Sequence, residues 1–214
     1  MTTPAPVDSE RRPRSRKGAQ TRARLLDAAR QTFEQDGFLD ARITDIAERA
    51  GLSHGSFYHY FESKEEVFRE VAAAVDERLT APLGSVILDP DSHAPPHERI
   101  HEAMRRYLES YRDQARIMGV IEQVSRYDTE VGAVRLARHR RYTAQIAESI
   151  RRLQRHGLAD PRLKPEIAAH GLGSMTNRFA ETWLVQGALD CGFDDAVEQL
   201  TLLFLNAIQV RADP

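Results

Sequence analysis

Nineteen residues, Ile43 to Phe61 (ITDIAERAGLSHGSFYHYF), constrain this chain more than any other stretch, because they read as two short helices hinged at a glycine. Ile43, Ile46, Ala47 and Ala50 recur at helical spacing and make one buried stripe. Gly51 then supplies the positive φ that ends a helix and turns the chain. Ser53 is placed to cap a second helix, on which Phe57 and Phe61 lie four residues apart and pack back onto the first. His54, Gly55, Ser56, Tyr58, His59 and Tyr60 are left facing outward or at the helix edges. Hydroxyl and imidazole groups beside a small residue near a helix start suit a helix whose N-terminal end approaches base edges and phosphates in a major groove. The competing reading is a tight helical hairpin with exposed aromatics.

The flanks favour the first reading. Thr21 to Phe38 carries Leu25, Leu26, Ala28, Ala29 and Phe33 at helical spacing and ends at Gly37, with Phe38 placed for the apolar contact that follows a glycine cap. After the hairpin, Ser63-Lys64-Glu65-Glu66 is a capping-box pattern opening another helix, with Val67, Phe68, Val71, Ala74, Val75 and Leu79 on its inner side. Ahead of all this, Arg11 to Arg24 holds seven basic residues and no acidic one, which predicts a mobile arm attracted to phosphates.

These residues resemble the tetracycline-repressor (TetR) family of bacterial transcriptional regulators. The resemblance runs from Ala23 to Phe68, through ARLLDAARQTFEQDGF, ITDIAERAGLS and GSFYHYFESKEEVF; beyond it the family is similar only in plan, an all-helical ligand-binding and dimerisation domain. Position by position, it implies that His54, Gly55 and Ser56 meet bases and that Tyr58, His59 and Tyr60 meet backbone phosphates. Lys64 matches a phosphate-contacting lysine, and Thr44 a position that reaches a base in some relatives. Arg42 departs from the pattern, standing where a threonine commonly caps the first hairpin helix; since an arginine accepts no hydrogen bond, a phosphate contact is the expected replacement.

Composition agrees with a DNA reader whose charge is local. The net charge is −2, yet up to Lys64 there are 11 basic against 9 acidic residues, leaving 19 against 23 for the remainder. The lone Cys191 allows no intramolecular disulfide and reads as a small core residue. Without an apolar run of membrane-spanning length or a signal core, the cytoplasm is the expected compartment, with no membrane partner.

The second half reads as helical throughout. A loop over 83–96 with Pro90, Pro95 and Pro96 as breakers precedes a stripe of Ile100, Met104, Tyr107, Leu108 and Tyr111. Then come a shorter helix around Ile117 to Val124, a long one from Asp128 to His156, and a last pair, Pro165 to Gly187 and Asp195 to Val210. The final helix is apolar on more than one side, which predicts that it packs both on its own domain and on a second subunit. Leu202 and Leu205 are assigned to the dimer side. Met104, Tyr107, Tyr111, Met118, Ile121, Tyr127, Tyr142, Met175, Phe179 and Trp183 are expected to converge on an effector cavity, with Arg178 as anchor for a carboxylate or phosphate and Glu122, His139 and Asn177 nearby. Each of them also has a plain reading as core. The basic run Arg135 to Arg141 and the pair Arg151-Arg152 read as a solvated helix face; a second reading is binding of an anion such as a phosphate-bearing thioester.

Nothing points to an enzyme. Among eight histidines and scattered acids there is no nucleophile elbow, phosphate-binding glycine loop or zinc helix, and His139 and His170 read as ordinary helix residues. The expectation is an all-α chain with a basic arm (1–17), a three-helix helix-turn-helix domain (18–64) and a helical ligand-binding and dimerisation domain (65–214). It would act, without cofactor or metal, as a homodimeric repressor of a palindromic double-stranded operator, released by a largely hydrophobic small molecule. The alternatives are an architectural DNA-binding protein without effector and an activator of the same fold.

Overall fold

The computed structural model describes residues 15–87 and 94–210, with side chains up to residue 79 in the first of these segments. All regular structure among the described residues is helical. Inside the fourth helix, between Ala73 and Ala74, the chain divides into two compact units.

The first unit holds α1 (Arg16–Asp40), α2 (Ile43–Arg49), α3 (His54–Phe57) and the start of α4 (Lys64–Ile87). Ser15 caps α1, its Oγ accepting from the Gly18 amide at 3.1 Å. The helix therefore takes in Arg16, Lys17, Arg22 and Arg24, which the sequence suggested as part of a mobile arm; Arg11, Arg12 and Arg14 lie outside the described residues. Gly37, at φ 73° and ψ 177°, interrupts α1 and folds Phe38 back. The Phe38 ring stacks on Phe33 at 5.8 Å, and both rings meet Phe68 of α4 at 4.9 Å. Phe33, Phe57, Phe61 and Phe68 are fully buried, each contributing roughly 1.5–3 kcal/mol of hydrophobic stabilisation. Ser63 opens α4, its Oγ accepting from the Glu66 amide at 3.1 Å, while the Glu66 carboxylate accepts from the Glu62 amide, one residue earlier than a reciprocal capping box places it.

The second unit continues α4 and adds α5 (Pro96–Asp113), α6 (Ala115–Val124), α7 (Thr129–Arg155), α8 (Pro165–Ala180) and α9 (Phe193–Ile208). Two boundaries differ from expectation. Residues 83–87 of the expected loop are helical, residues 88–93 lie outside the described residues, and α5 starts at Pro96, where proline's missing N–H costs nothing. The helix expected to run to Gly187 stops at Ala180 and widens into a π-helical turn, Glu181–Val185. This turn packs on α6 at Gly119, where a Cβ would lie 3.1 Å from Val185.

α7 packs on α8, and α5 on α9. α7 is capped by Asp128, whose Oδ1 accepts from the amides of Glu130 and Val131 at 2.9 and 3.0 Å. The run Arg135 to Arg141 is not a uniformly solvated face. Arg138 is buried, 3.7 Å from Asp76 of α4, and Arg141 pairs with the same carboxylate. Burial forces this, since a carboxylate taken out of water must be paired. On α9, Ala196, Val197, Leu200, Phe204 and Ile208 face inward. Leu202 and Leu203 are 44% and 53% exposed, whereas Leu205 is half-buried in its own unit.

Candidate functional site

The hairpin of the first unit is locked at each end. α2 finishes with Gly51 at φ 66°; the Leu52 amide donates to Ala47 O and the Gly51 amide to Glu48 O, both at 2.9 Å, which satisfies two helix-end carbonyls. Ser53 then caps α3, accepting from the Ser56 amide at 3.3 Å, and its hydroxyl shares a 2.8 Å hydrogen bond with that of Ser56. Phe57, with no exposed surface, pins the single turn of α3 to the core. Its burial sends His54, Gly55, Tyr58 and His59 to the exposed side, leaving Ser56 and Tyr60 half-buried. The His54 ring meets the Tyr58 ring edge-on at 5.2 Å. After Phe57 the chain goes on as turns through Tyr60, so the second hairpin helix is shorter than its sequence pattern implied.

The cations of α1 and of the α2 start fall into two groups. Arg16, Lys17, Arg24 and Arg42 are exposed and make no ion pair with any described residue. Arg22 is engaged, paired with Glu70 and lying 4.8 Å over the Phe61 ring. Arg42 precedes α2 without a side-chain cap, as its chemistry requires. Thr44, also exposed, donates to Asp45 at 3.1 Å. Lys64, expected at a backbone phosphate, is engaged within its own unit. Its ammonium donates to the carbonyls of Phe38, Leu39 and Ala41 at 2.7, 3.1 and 2.9 Å and sits 4.7 Å over the Phe38 ring. An ammonium has three donors, so a phosphate contact requires Lys64 to leave the α1–α2 corner that it holds.

In the second unit the residues expected to line one cavity separate. A cavity of about 230 Å³ opens between the first turns of α5, the last turns of α7 and the end of α9, and of the expected set only Met104 and Tyr142 line it. Tyr107, Tyr111, Met118 and Ile121 are core. Tyr107 stacks on Tyr142 at 5.1 Å and accepts from Asn177 at 3.2 Å, and burial raises the pKa of both phenols, keeping them neutral. Tyr127 is exposed; Met175 is half-buried. Phe179, Trp183 and Phe193 form a ladder at 5.9 and 6.0 Å, capped by Arg112 4.3 Å from the Phe193 ring. Arg178 is exposed and donates to Glu181 at 2.9 Å, which removes it from the cavity.

The walls that sequence reasoning missed are Arg99, Ile100 and Ala103 of α5, Ile146, Ser149, Ile150, Arg152, Leu153 and His156 on or just after α7, and Phe204 and Ile208 of α9. Their apolar members carry the same helical periodicity as a filled core. At the other end of the unit, Glu181 hydrogen-bonds Glu122: burial and the neighbouring carboxylate push Glu181 up, while that bond holds Glu122 down. His139 and His170 face each other at 3.4 Å, and burial together with the second imidazole lowers the pKa of His139.

Residues 25–71 match the family model of bacterial regulatory proteins, tetR family. Over 73 residues the chain is 40% identical to the uncharacterized helix-turn-helix-type transcriptional regulator YdgC of Bacillus subtilis, a match covering 34% of this chain and only 37% of that relative. Similarity to the transcriptional regulator UidR of Escherichia coli extends further, 25% over 163 residues, covering 73% of this chain and 78% of UidR. Among solved structures the fold matches SmeT, the repressor of the Stenotrophomonas maltophilia multidrug efflux pump SmeDEF, with a TM-score of 0.70 at 21% identity, covering 87% of this chain and 89% of SmeT.

Proposed function

Because this chain belongs to the tetR family of bacterial regulatory proteins, whose members are DNA-binding transcriptional regulators rather than enzymes, we propose that it is a homodimeric, effector-released repressor. One observation carries the DNA-reading part: the outward edge of α3 presents His54, Gly55 and Tyr58 exposed, and the same unit carries exposed cations, on α1 and at the α2 start, that no described acid pairs. His54 and Ser56 read bases, Tyr58, His59 and Tyr60 contact phosphates, and Thr44 supplements the reading. Arg42, held at a helix start, adds a phosphate contact. Two such edges in successive major grooves select a palindromic operator. Occupying the operator suffices for repression, the role that SmeT carries in its description.

Dimerisation is assigned to α8 and α9. Ile167, Leu202 and Leu203 are large apolar side chains exposed at 69%, 44% and 53%, and paired helices from two subunits would bury them in a four-helix bundle. An effector bound in the second unit lowers operator affinity only if it binds the DNA-incompetent arrangement of the dimer more tightly. No described helix is long and apolar enough to cross a membrane, and a regulator of this kind works in the cytoplasm, where the DNA is.

Selection of bound fragments from genomic DNA tests the reading. Wild type returns a palindrome; His54→Ala and Ser56→Ala shift the preferred bases at an expected cost of about 1–3 kcal/mol per lost base contact, with nonspecific affinity nearly unchanged. An unaltered motif from both variants places base reading elsewhere on the hairpin.

A further inference from the structure

His139 of α7 and His170 of α8 meet between two helices that pack along each other in the second unit. The backbone fixes their approach. One turn along, Gly173 lies so near α7 that a Cβ on it would stand 3.0 Å from Thr143 and 3.2 Å from Tyr142, and the same closeness brings the two imidazole-bearing turns together. His139 Nε2 and His170 Nδ1 are 3.4 Å apart, with the ring centroids at 5.4 Å. That is long for an N–H hydrogen bond, which spans about 2.7–3.2 Å to an oxygen acceptor. It matches a different geometry. Two imidazole nitrogens bound to one tetrahedral zinc, each about 2.0–2.1 Å from the ion, lie about 3.3–3.4 Å from each other. Among the described residues neither imidazole has another hydrogen-bond partner. Arg138, the cation whose charge acts on His139, is held by Asp76, and burial beside the second ring favours the neutral form of His139, the form that ligates metals.

We infer that His139 and His170 form a two-ligand site for a divalent transition ion of the zinc class, joining α7 to α8. The donors select the class, since imidazole nitrogens suit zinc, copper and nickel whereas calcium and magnesium take oxygen ligands. No third histidine, cysteine, aspartate or glutamate joins the pair among the described residues. Water therefore takes the remaining positions, and the ion is exchangeable, unlike the closed four-ligand sites that hold structural zinc. His170 is exposed and stands three residues from the exposed Ile167, on the α8 face assigned above to the second subunit. An ion held there stiffens the helix that the proposed dimer uses. The site itself needs no second subunit and no DNA, so its test is independent of the proposed function.

Zinc chloride added to the tag-free, metal-stripped full chain tests it, by isothermal titration and by thermal unfolding followed at Trp183, the single tryptophan, which lies in the same unit. One ion binds per chain. Zinc at about a hundredfold over its dissociation constant raises the melting temperature of this unit by about 5–10 °C, because the ion binds the packed helices and not the unfolded chain. His139→Gln and His170→Gln each lower zinc affinity at least about tenfold and remove the temperature rise. His170 is exposed, so His170→Gln leaves metal-free melting unchanged and any lost binding is not lost folding. Calcium and magnesium produce neither effect. His97 and His101, four residues apart on α5, are the competing pair, and a His97→Gln variant keeps the zinc response. Absence of saturable zinc binding, equal binding by wild type and both glutamine variants of the α7–α8 pair, or a response lost with His97→Gln overturns the inference. One ion for every two chains, lost in the same two variants, supports the pair as ligands and makes a second subunit the source of the rest.

Discussion

Replacing Lys64 by methionine separates the two roles that sequence and structure give it. Methionine keeps the unbranched stem and an equally good helix propensity, so the change removes the ammonium and little else. Lost with it are three charge-assisted hydrogen bonds, to Phe38, Leu39 and Ala41, and a cation held over the Phe38 ring. Hydrogen bonds to charged groups contribute about 1.5–3 kcal/mol each in isolation. They are not additive, and water can re-enter at the exposed Leu39 carbonyl, so we expect a net loss of about 3 kcal/mol with roughly 0.5–1 of it from the ring contact. For a unit of this size, that lowers its melting temperature by about 12–24 °C, at roughly 4–8 °C per kcal/mol. Trp183, the chain's single tryptophan, lies in the second unit, so its fluorescence should melt nearly as in wild type, while amide exchange in α1 and α2 accelerates. If exchange there stays at the wild-type rate while operator affinity drops and the salt slope falls by about one unit, Lys64 is a phosphate anchor and the structural argument is wrong.

Three further outcomes follow from the same geometry. Leu203→Asp should sediment as a monomer with retained helicity and lost operator binding, because an exposed leucine tolerates a charge until a second subunit buries it; a dimer with intact binding removes α9 from the interface. Gly55→Ala should leave the fold intact, since a Cβ there meets nothing within 4 Å, yet weaken operator binding at least about tenfold; unchanged binding refutes close approach at α3. Glu181→Gln should raise the melting temperature at neutral pH. With its pKa raised, folded Glu181 retains a proton that the unfolded chain releases near 4.5, so its contribution is complete below that value and fades as pH rises through the folded pKa. The variant's advantage should therefore shrink as pH falls towards 4, and an advantage independent of pH points to packing.

Where local rules decide, the sequence was readable. Gly51, Ser53, Ser63 and Asp128 act at the helix ends to which pattern and capping chemistry assigned them, because each satisfies its neighbours within five residues. The intramolecular partners of Lys64 were illegible for the opposite reason: they lie 23 to 26 residues away, at a corner that exists only after α1 and α4 pack. The cavity was illegible in the same sense. Tyr142, Ile146 and Ile150 recur as core residues do, and whether a core stripe meets a partner side chain or a void depends on the fit of three helices. The π-helical turn has no pattern of its own; it becomes intelligible at Gly119, whose missing side chain admits Val185.

Glycines in helices also show where the chain's internal demands end. Each costs about 1 kcal/mol against alanine, so each calls for a return. Gly173 has one inside its own unit, since a Cβ there would lie 3.0 Å from Thr143 and 3.2 Å from Tyr142. Gly55 and Gly171 have none: neither has a positive φ, and a Cβ on either meets nothing within 4 Å. Both are exposed, the first on the edge of α3 assigned to DNA, the second on α8 one turn from the exposed Ile167. A glycine that the fold does not require is accounted for by a surface that must come close to the backbone from outside. Two such positions, in separate units, match the two external partners of the proposed function, a DNA groove and a second subunit. Alanine at each should raise stability while weakening one association and sparing the other, so the two contacts can be separated by the same minimal change, a single methyl group.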